Sequence, residues 1–328
     1  MCTAISVTSE NHYFGRNLDY EHSFGEKVVI TPREYIFNFT NGEICKNHPA
    51  IIGMALPCNG YPLYFDGINE NGLAVAGLNF PDNACYGKAQ KGKTNIASFE
   101  VIPYILCNCK RVSDAVALLE NAVITDNAFD KEMSPSPLHW IISDKNESVT
   151  VEQTAKGLCV YKNTVGVLTN NPTFDIHMFG LRNYQQLTTK DPKNTAFDGI
   201  ELPIYCKGMG AYGLPGDMSS MSRFVKASFT KINAVFDNTE EKRVSQFFHL
   251  LESVFQVKGS VITDDGYEMT LYSSCCNTDK GIYYYKTYYN SAMTAVSMSS
   301  ENVDGNMLYT FDINRNSSIE YQNKRSNL

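Results

Sequence analysis

The residue with the most chemical promise is the second. Initiator methionine is normally trimmed when the residue after it is small, and Cys2 qualifies. Trimming would put a thiol and a free α-amine on one residue. Their ordinary pKa values are roughly 8.5 and roughly 7.7–8.0. One residue would then carry both a nucleophile and a proton acceptor, as in the Thr/N-terminal-amine variant of nucleophilic catalysis. Taken alone, a cysteine in second place usually does nothing, so its neighbours decide its weight. Phe14-Gly15-Arg16-Asn17-Leu18-Asp19 follows the candidate strand Cys2–Thr8 after a turn at Glu10-Asn11. A hairpin there brings Arg16 and Asp19 back beside Cys2. Arg16 would favour the thiolate by charge, and Asp19 would hold the amine as a hydrogen-bond acceptor. The competing reading of this pair is a surface ion pair worth roughly 0–1 kcal/mol.

Other chemistries have less to stand on. A papain-like Cys–His pair needs a partner such as His139 or His177. His139 lies mid-strand before Trp140, and His177 follows Thr173-Phe174-Asp175 at a helix start, where it caps or packs. Neither is needed if the amine is the base. Among ten cysteines no pair has C-x-x-C spacing, so the usual zinc and redox signatures are missing. Cys107-Asn108-Cys109 and Cys275-Cys276 read as ordinary buried thiols. Gly208-Met209-Gly210 and Gly213–Gly216 lack the strand-to-helix setting of a phosphate loop. No metal or cofactor is expected. The balance of 28 Lys+Arg against 35 Asp+Glu, net −7, argues against a nucleic-acid partner, which needs a basic face. No apolar run approaches the roughly 18 residues of a membrane helix. Met1–Ile5 has no basic n-region or apolar h-region, so cytoplasm is the expected location.

Positioning these residues falls to a strand-rich chain. Strands are expected at Cys2–Thr8, Lys27–Thr31, Tyr35–Phe39, Ile51–Leu56, Leu73–Leu78, Leu138–Ser143, Ser148–Glu152, Gly166–Thr169, Met269–Cys275, Gly281–Tyr288 and Ala292–Met298. The Ile282–Tyr289 run reads as a strand covered on both faces, with an aromatic binding face as the alternative. Helices fit Ser98–Asn108, Val112–Ala122, Ser219–Val235 and Lys242–Gln256. Their order suits helices outside antiparallel sheets rather than a βαβ repeat. With 43% apolar residues and no linker or repeat, residues 1–328 are expected to form a single domain. The stretch from about Asn171 to Gly216 is long for a loop and is read as an excursion with a job, such as a subunit contact.

The opening Met-Cys-Thr-Ala-Ile, followed by Tyr13-Phe14-Gly15-Arg16-Asn17-Leu18-Asp19-Tyr20, resembles the choloylglycine hydrolase family: the bile salt hydrolases and penicillin V acylases, which are N-terminal nucleophile hydrolases. The likeness continues through Asn71-Gly72-Leu73, Ala76-Gly77-Leu78-Asn79-Phe80-Pro81 and Leu138-His139-Trp140. It returns at Val151-Glu152-Gln153, Gly166–Phe174, Gly213–Asp217, Ser222-Arg223-Phe224 and Lys280–Tyr285, so it spans the chain in order. The resemblance implies an α+β, four-layered αββα fold, with Met1 removed. It implies a Cys2 nucleophile served by Arg16, Asp19, Asn79, Asn170 and Arg223. Amide cleavage passes through a tetrahedral oxyanion, for which the Asn79 backbone N–H and the Asn170 side-chain amide are the implied donors. Without the resemblance the two asparagines read as turn residues near Pro81 and Pro172. A steroid pocket is implied at Leu18, Phe24, Phe65, Met133, Ser136 and Leu138, each of which reads equally as core packing. Asn79-Phe80 is similar to the bile salt hydrolases, because several penicillin V acylases carry an aromatic residue where Asn79 stands. The implied reaction is hydrolysis of the amide joining a cholane acid to glycine or taurine, by a homotetramer. A penicillin V acylase, a cysteine hydrolase with a histidine base and a non-catalytic steroid binder remain the alternatives.

Overall fold

Cys2–Thr8 and His12–Tyr20 pair antiparallel around a tight turn, with Cys2 opposite Leu18 and Ala4 opposite Arg16. In this computed structural model, which describes residues 1–317 and 319–325, that hairpin is the centre of a seven-stranded sheet. Its order is Val167–Leu168, Cys2–Thr8, His12–Tyr20, Gly266–Asn277, Ile282–Thr287, Asn290–Ser297, and Val261–Thr263 pairs with Gly266–Asn277 off this path. A second, eight-stranded sheet runs Gly157–Lys162, Ser148–Thr154, Leu138–Ser143, Ala74–Asn79, Tyr61–Asn69, Ile51–Cys58, Lys27–Thr31, Tyr309–Asp312. All neighbours in both are antiparallel.

Period-two alternation explains how the sheets stack. Along Ala74–Asn79, Ala74, Ala76 and Leu78 face the core shared with Ile5, Tyr272 and Ile141 of the two sheets. Val75 faces the other way, with Trp140, onto the Val101–Asn108 and Val112–Leu119 helices through Ile105 and Leu119. A sheet covered on both faces needs apolar side chains at every position, and these strands have them. The Ser220–Asn233 and Glu240–Glu252 helices lie against the seven-stranded sheet through Phe224 and Phe247. The result is helix, sheet, sheet, helix. Ser219 and Thr239 start the last two helices by accepting the backbone N–H of Ser222 and Lys242, satisfying donors the helix cannot.

Two β-bulges lie on facing strands. Met54 pairs with Asp66 and Ala55 with Tyr64, which leaves Phe65 as the extra residue of its strand. Thr270 pairs with Asp19 and Tyr272 with Leu18, leaving Leu271 extra. Bulges re-aim side chains and carbonyls, and both fall beside Cys2's neighbours. Gly15 permits the close approach of the strand that carries Thr270: a Cβ there would lie 1.9 Å from the Ser274 carbonyl oxygen.

Several expected boundaries shift. Val112–Ala122 stops being helical at Leu119, and Ala122–Thr125 pairs in parallel with Thr94–Ala97. Tyr35–Phe39 contributes only Phe37–Asn38. Ser98–Asn108 divides into a 3-10 turn at Ser98–Glu100 and an α-helix from Val101. Of the tyrosine-rich run, Ile282–Thr287 is a strand covered on both sides, with Tyr283 and Tyr285 between the sheets and Tyr284 and Lys286 bonded to Glu240 and Glu252 of the Glu240–Glu252 helix, while Tyr289 beyond it is exposed. Among the described residues no helix is long and apolar enough to cross a membrane.

Candidate active site

Cys2 opens into a cavity of about 410 Å³. At that end the cavity is polar, lined by Cys2, Arg16, Asp19, Gly77 and Asn79. Beyond them it is mostly apolar, with Ser98, Ser134 and Ser136 in the lining. Leu18, Phe24, Phe65, Met133, Ser136 and Leu138, the six pocket residues expected from sequence, all line it. Tyr20, Leu56, Leu63, Phe99 and Phe129 join them. The sequence offered no sign for these five, since each looks like an ordinary apolar residue until the loops are folded together.

Arg16 and Asp19 are wholly buried, not a surface pair. Arg16 donates from Nη1 to the carbonyls of Phe65 (3.0 Å) and Gly77, and Nη2 is buried without a partner. Burial works to lower the Arg16 pKa, but Cys2, Tyr272, Asp66 and Asp19 around it hold it above the ordinary value. Asp19 accepts the Thr270 hydroxyl on Oδ1 at 2.6 Å, while Oδ2 is buried with no partner. Burial pushes the Asp19 carboxyl up, and the N-terminal ammonium, Arg223, Thr270 and Arg16 pull against it.

Asn170 ties the site together. Its Oδ1 accepts the Cys2 N–H at 2.9 Å and Arg223 Nη2 at 2.7 Å, and its Nδ2 donates to the Asn79 carbonyl at 2.7 Å. The Asn170 backbone is held in turn by the Ser220 hydroxyl and the His177 ring. Arg223 also donates to the Cys2 carbonyl and to the Thr3 hydroxyl. Burial lowers the Arg223 pKa, opposed by Asp19, Cys2 and Glu268.

Asn79 sits where a ladder ends. Phe80 N–H bonds the Pro137 carbonyl, so Asn79 and Leu138 form a non-hydrogen-bonded pair on that side. The Asn79 main-chain groups therefore point toward the Tyr61–Asn69 strand, whose pairing with Ala74–Asn79 runs only from Ile68↔Ala74 to Asp66↔Ala76. That freed edge is where Asn170 docks.

The histidines lie elsewhere. Neither His139 nor His177 lines the cavity. His139 stands 3.1 Å from Glu152 and 2.9 Å from the Thr169 carbonyl, stacked on Phe80. His177 is pushed down to about 4 by burial, and its ring sits 2.9 Å from the Asn170 carbonyl. Sequence reasoning missed Thr270, Glu268 and Ser220. Glu268 binds the Met1 ammonium, which also donates to the Asp19 carbonyl at 2.8 Å. No local pattern could have marked them, since their partners lie about 250, 267 and 50 positions away in sequence.

Residues 2–311 match the linear amide C–N hydrolases, choloylglycine hydrolase family. A bile salt hydrolase/transferase of Lactiplantibacillus plantarum is 48% identical over 314 residues, covering 95% of this chain and 97% of that protein. One from Clostridium perfringens is 37% identical, covering 98% and 100%. The crystal structure of the C2A mutant conjugated bile acid hydrolase from Clostridium perfringens superposes with a TM-score of 0.91 at 36% identity, over 98% of this chain and 100% of that one. A penicillin V acylase from Agrobacterium tumefaciens shares the fold at 19% identity, with a TM-score of 0.76 over 95% and 91%. With its layered sheets and its cysteine at the head of the first strand, this chain belongs to the choloylglycine hydrolase family of linear amide C–N hydrolases.

Proposed function

We propose that this protein hydrolyses conjugated bile acids, cleaving the amide between a cholane acid and glycine or taurine, with Cys2 as the nucleophile. The observation that carries the reading is the convergence of Cys2, Arg16 and Asp19 at one polar end of a cavity that is otherwise mostly apolar. Its volume lies within the roughly 300–1,000 Å³ of small-molecule sites. A rigid apolar ring system fits the far end and an amide with an anionic tail fits the near one. The names of the Lactiplantibacillus and Clostridium relatives support the same substrate class.

Removal of Met1 frees the Cys2 amine beside Asp19, whose unpartnered Oδ2 suits an N–H donor. The Cys2 amine takes the thiol proton, and the thiolate attacks the amide carbonyl, forming a C–S bond as the carbonyl π electrons move to oxygen and the tetrahedral oxyanion forms. The Asn79 N–H and the second N–H of Asn170 Nδ2 are the donors it would meet. As the C–N bond breaks, the Cys2 amine passes a proton to the leaving amine. Water then attacks the thioester, releases the bile acid and restores the thiol. Arg16 and Arg223 supply local positive potential in a chain of net charge −7, which favours an anionic substrate. Leu18, Phe24, Phe65, Met133, Ser136 and Leu138 grip the steroid.

The reading includes one domain over residues 1–328 and a homotetramer contacted through the 171–216 excursion. The apolar residues exposed there, among them Phe197, Leu202, Tyr205 and Tyr212, support the second point. Ten free thiols suit a reducing, cytoplasmic compartment.

The test is intact mass of the purified protein, with rates on glycocholate, taurocholate and phenoxymethylpenicillin before and after Cys2→Ala. Loss of Met1, faster bile-amide turnover and a dead variant are expected. Faster penicillin turnover would make it a penicillin V acylase, and an active Cys2→Ala variant would sink the mechanism.

A further inference from the structure

Arg16 is a buried cation whose hydrogen bonds go to backbone carbonyls. A buried charge needs a counter-charge close by. The Asp19 carboxylate accepts the Thr270 hydroxyl and also acts on Arg16. Asp66 is the other buried carboxylate that acts on Arg16, and the mechanism above leaves it without a role. Asp66 Oδ1 accepts the Tyr283 hydroxyl at 2.7 Å and Oδ2 accepts the Tyr272 hydroxyl at 2.8 Å. Both tyrosines are fully buried on the opposite sheet. Asp66 directly follows the bulge residue Phe65, whose carbonyl accepts Arg16 Nη1. Tyr272 directly follows the facing bulge residue, Leu271. One dipeptide, Phe65-Asp66, thus offers Arg16 both a hydrogen bond and a counter-charge.

We propose that Asp66, held as an anion by Tyr272 and Tyr283 across the two sheets, is a positioning residue that fixes Arg16 and offsets its charge beside Cys2. The inference rests on Cys2 being the nucleophile. Burial pushes the Asp66 carboxyl up, while Arg16, Tyr283 and Tyr272 oppose it. The other charged or titratable groups facing this cluster are Cys2 from the first strand, Asp19 from the second, Cys276 from the strand of Tyr272, and Glu26; Arg223 acts on Cys2 and Asp19, and Glu268 acts on Arg223.

The experiment follows alkylation of Cys2 by iodoacetamide against pH in the full-length protein, read by mass spectrometry on the Cys2 peptide. Asp66→Asn keeps the shape and removes the charge. With Arg16 no longer offset, the pH of half-maximal alkylation falls by on the order of one unit, and the acid limb of kcat/KM moves with it. Tyr283→Phe removes one of the donors that hold Asp66 ionised, so Asp66 takes up a proton more readily and the midpoint moves the same way by less. If Asp66→Asn does not fold, Tyr283→Phe and Tyr272→Phe carry the test, each losing only a hydroxyl. A midpoint that stays put or rises in the folded variants overturns the proposal, whatever happens to thermal stability. A shifted midpoint in a protein that turns over no bile amide would instead overturn the proposed substrate and leave Asp66 its role.

Discussion

Asn170 is where the residue scale is most exposed to test. It touches the Cys2 N–H, Arg223 and the Asn79 carbonyl at once, so in the proposed reaction it would both position Cys2 and offer an oxyanion donor. Asn170→Ala is expected to lower kcat by about 10²–10³ with little change in KM, measured by steady-state hydrolysis of glycocholate. A variant whose KM alone rises would place Asn170 in substrate binding instead. Thr270→Val leaves Asp19 Oδ1 buried and unpaired, which costs about 1–3 kcal/mol of stability, read from denaturant melts. Arg16 and Asp19 were legible because a two-strand hairpin has one register, and that register brings both back to Cys2. Thr270 was not, because it arrives from a strand about 250 residues later.

At the scale of elements, the site depends on how closely the second strand approaches its neighbour. Gly15 has no room for a side chain against the Ser274 carbonyl. Gly15→Ala is therefore expected to cost about 1–3 kcal/mol or more and to lower turnover by displacing Arg16. Chemical denaturation followed by the fluorescence of Trp140, the single tryptophan, checks it, and an unchanged midpoint would contradict the close packing. Most strands were readable from alternation. Tyr61–Asn69 was not, because Pro62 and Gly67 argue locally against a strand. Pro62 is tolerated beside the hairpin end, opposite Pro57, and Gly67 lies opposite Gly53. The expected helix overran the observed Val112–Leu119 by three residues, because Glu120 and Asn121 turn out of the helix and Ala122 begins a parallel strand, a tertiary event.

For the whole molecule, buried histidines set the response to acid. His12 is held by Ser6, Ser143 and Thr278, and burial pushes it down to about 4. His177 is likewise lowered to about 4. Each stays neutral in the fold but takes a proton when unfolded below pH 6.5. Stability is therefore full above 6.5 and falls as pH drops toward 4, by up to roughly 3 kcal/mol per histidine. Asp19, Asp66 and Glu268, raised by burial, act in the opposite sense, so the comparison must be with His12→Asn. That variant should lose less stability than the wild type between pH 7 and 4.5 in urea melts. Equal losses would show that His12 is not a proton acceptor on unfolding. Tyr205→Asp with Tyr212→Asp, on the exposed apolar excursion, should shift sedimentation toward smaller species if that face joins subunits. The amino-acid order by itself marked Cys2 as the candidate nucleophile, set its hairpin partners and carried the alternation that makes two sheets, because these rest on short-range period and register. Only the tertiary structure decided which polar groups meet Arg16 and Asp19, and which apolar loops close the cavity. Those contacts join residues 49 to 251 positions apart, and their geometry hangs on two bulges that no local pattern announces.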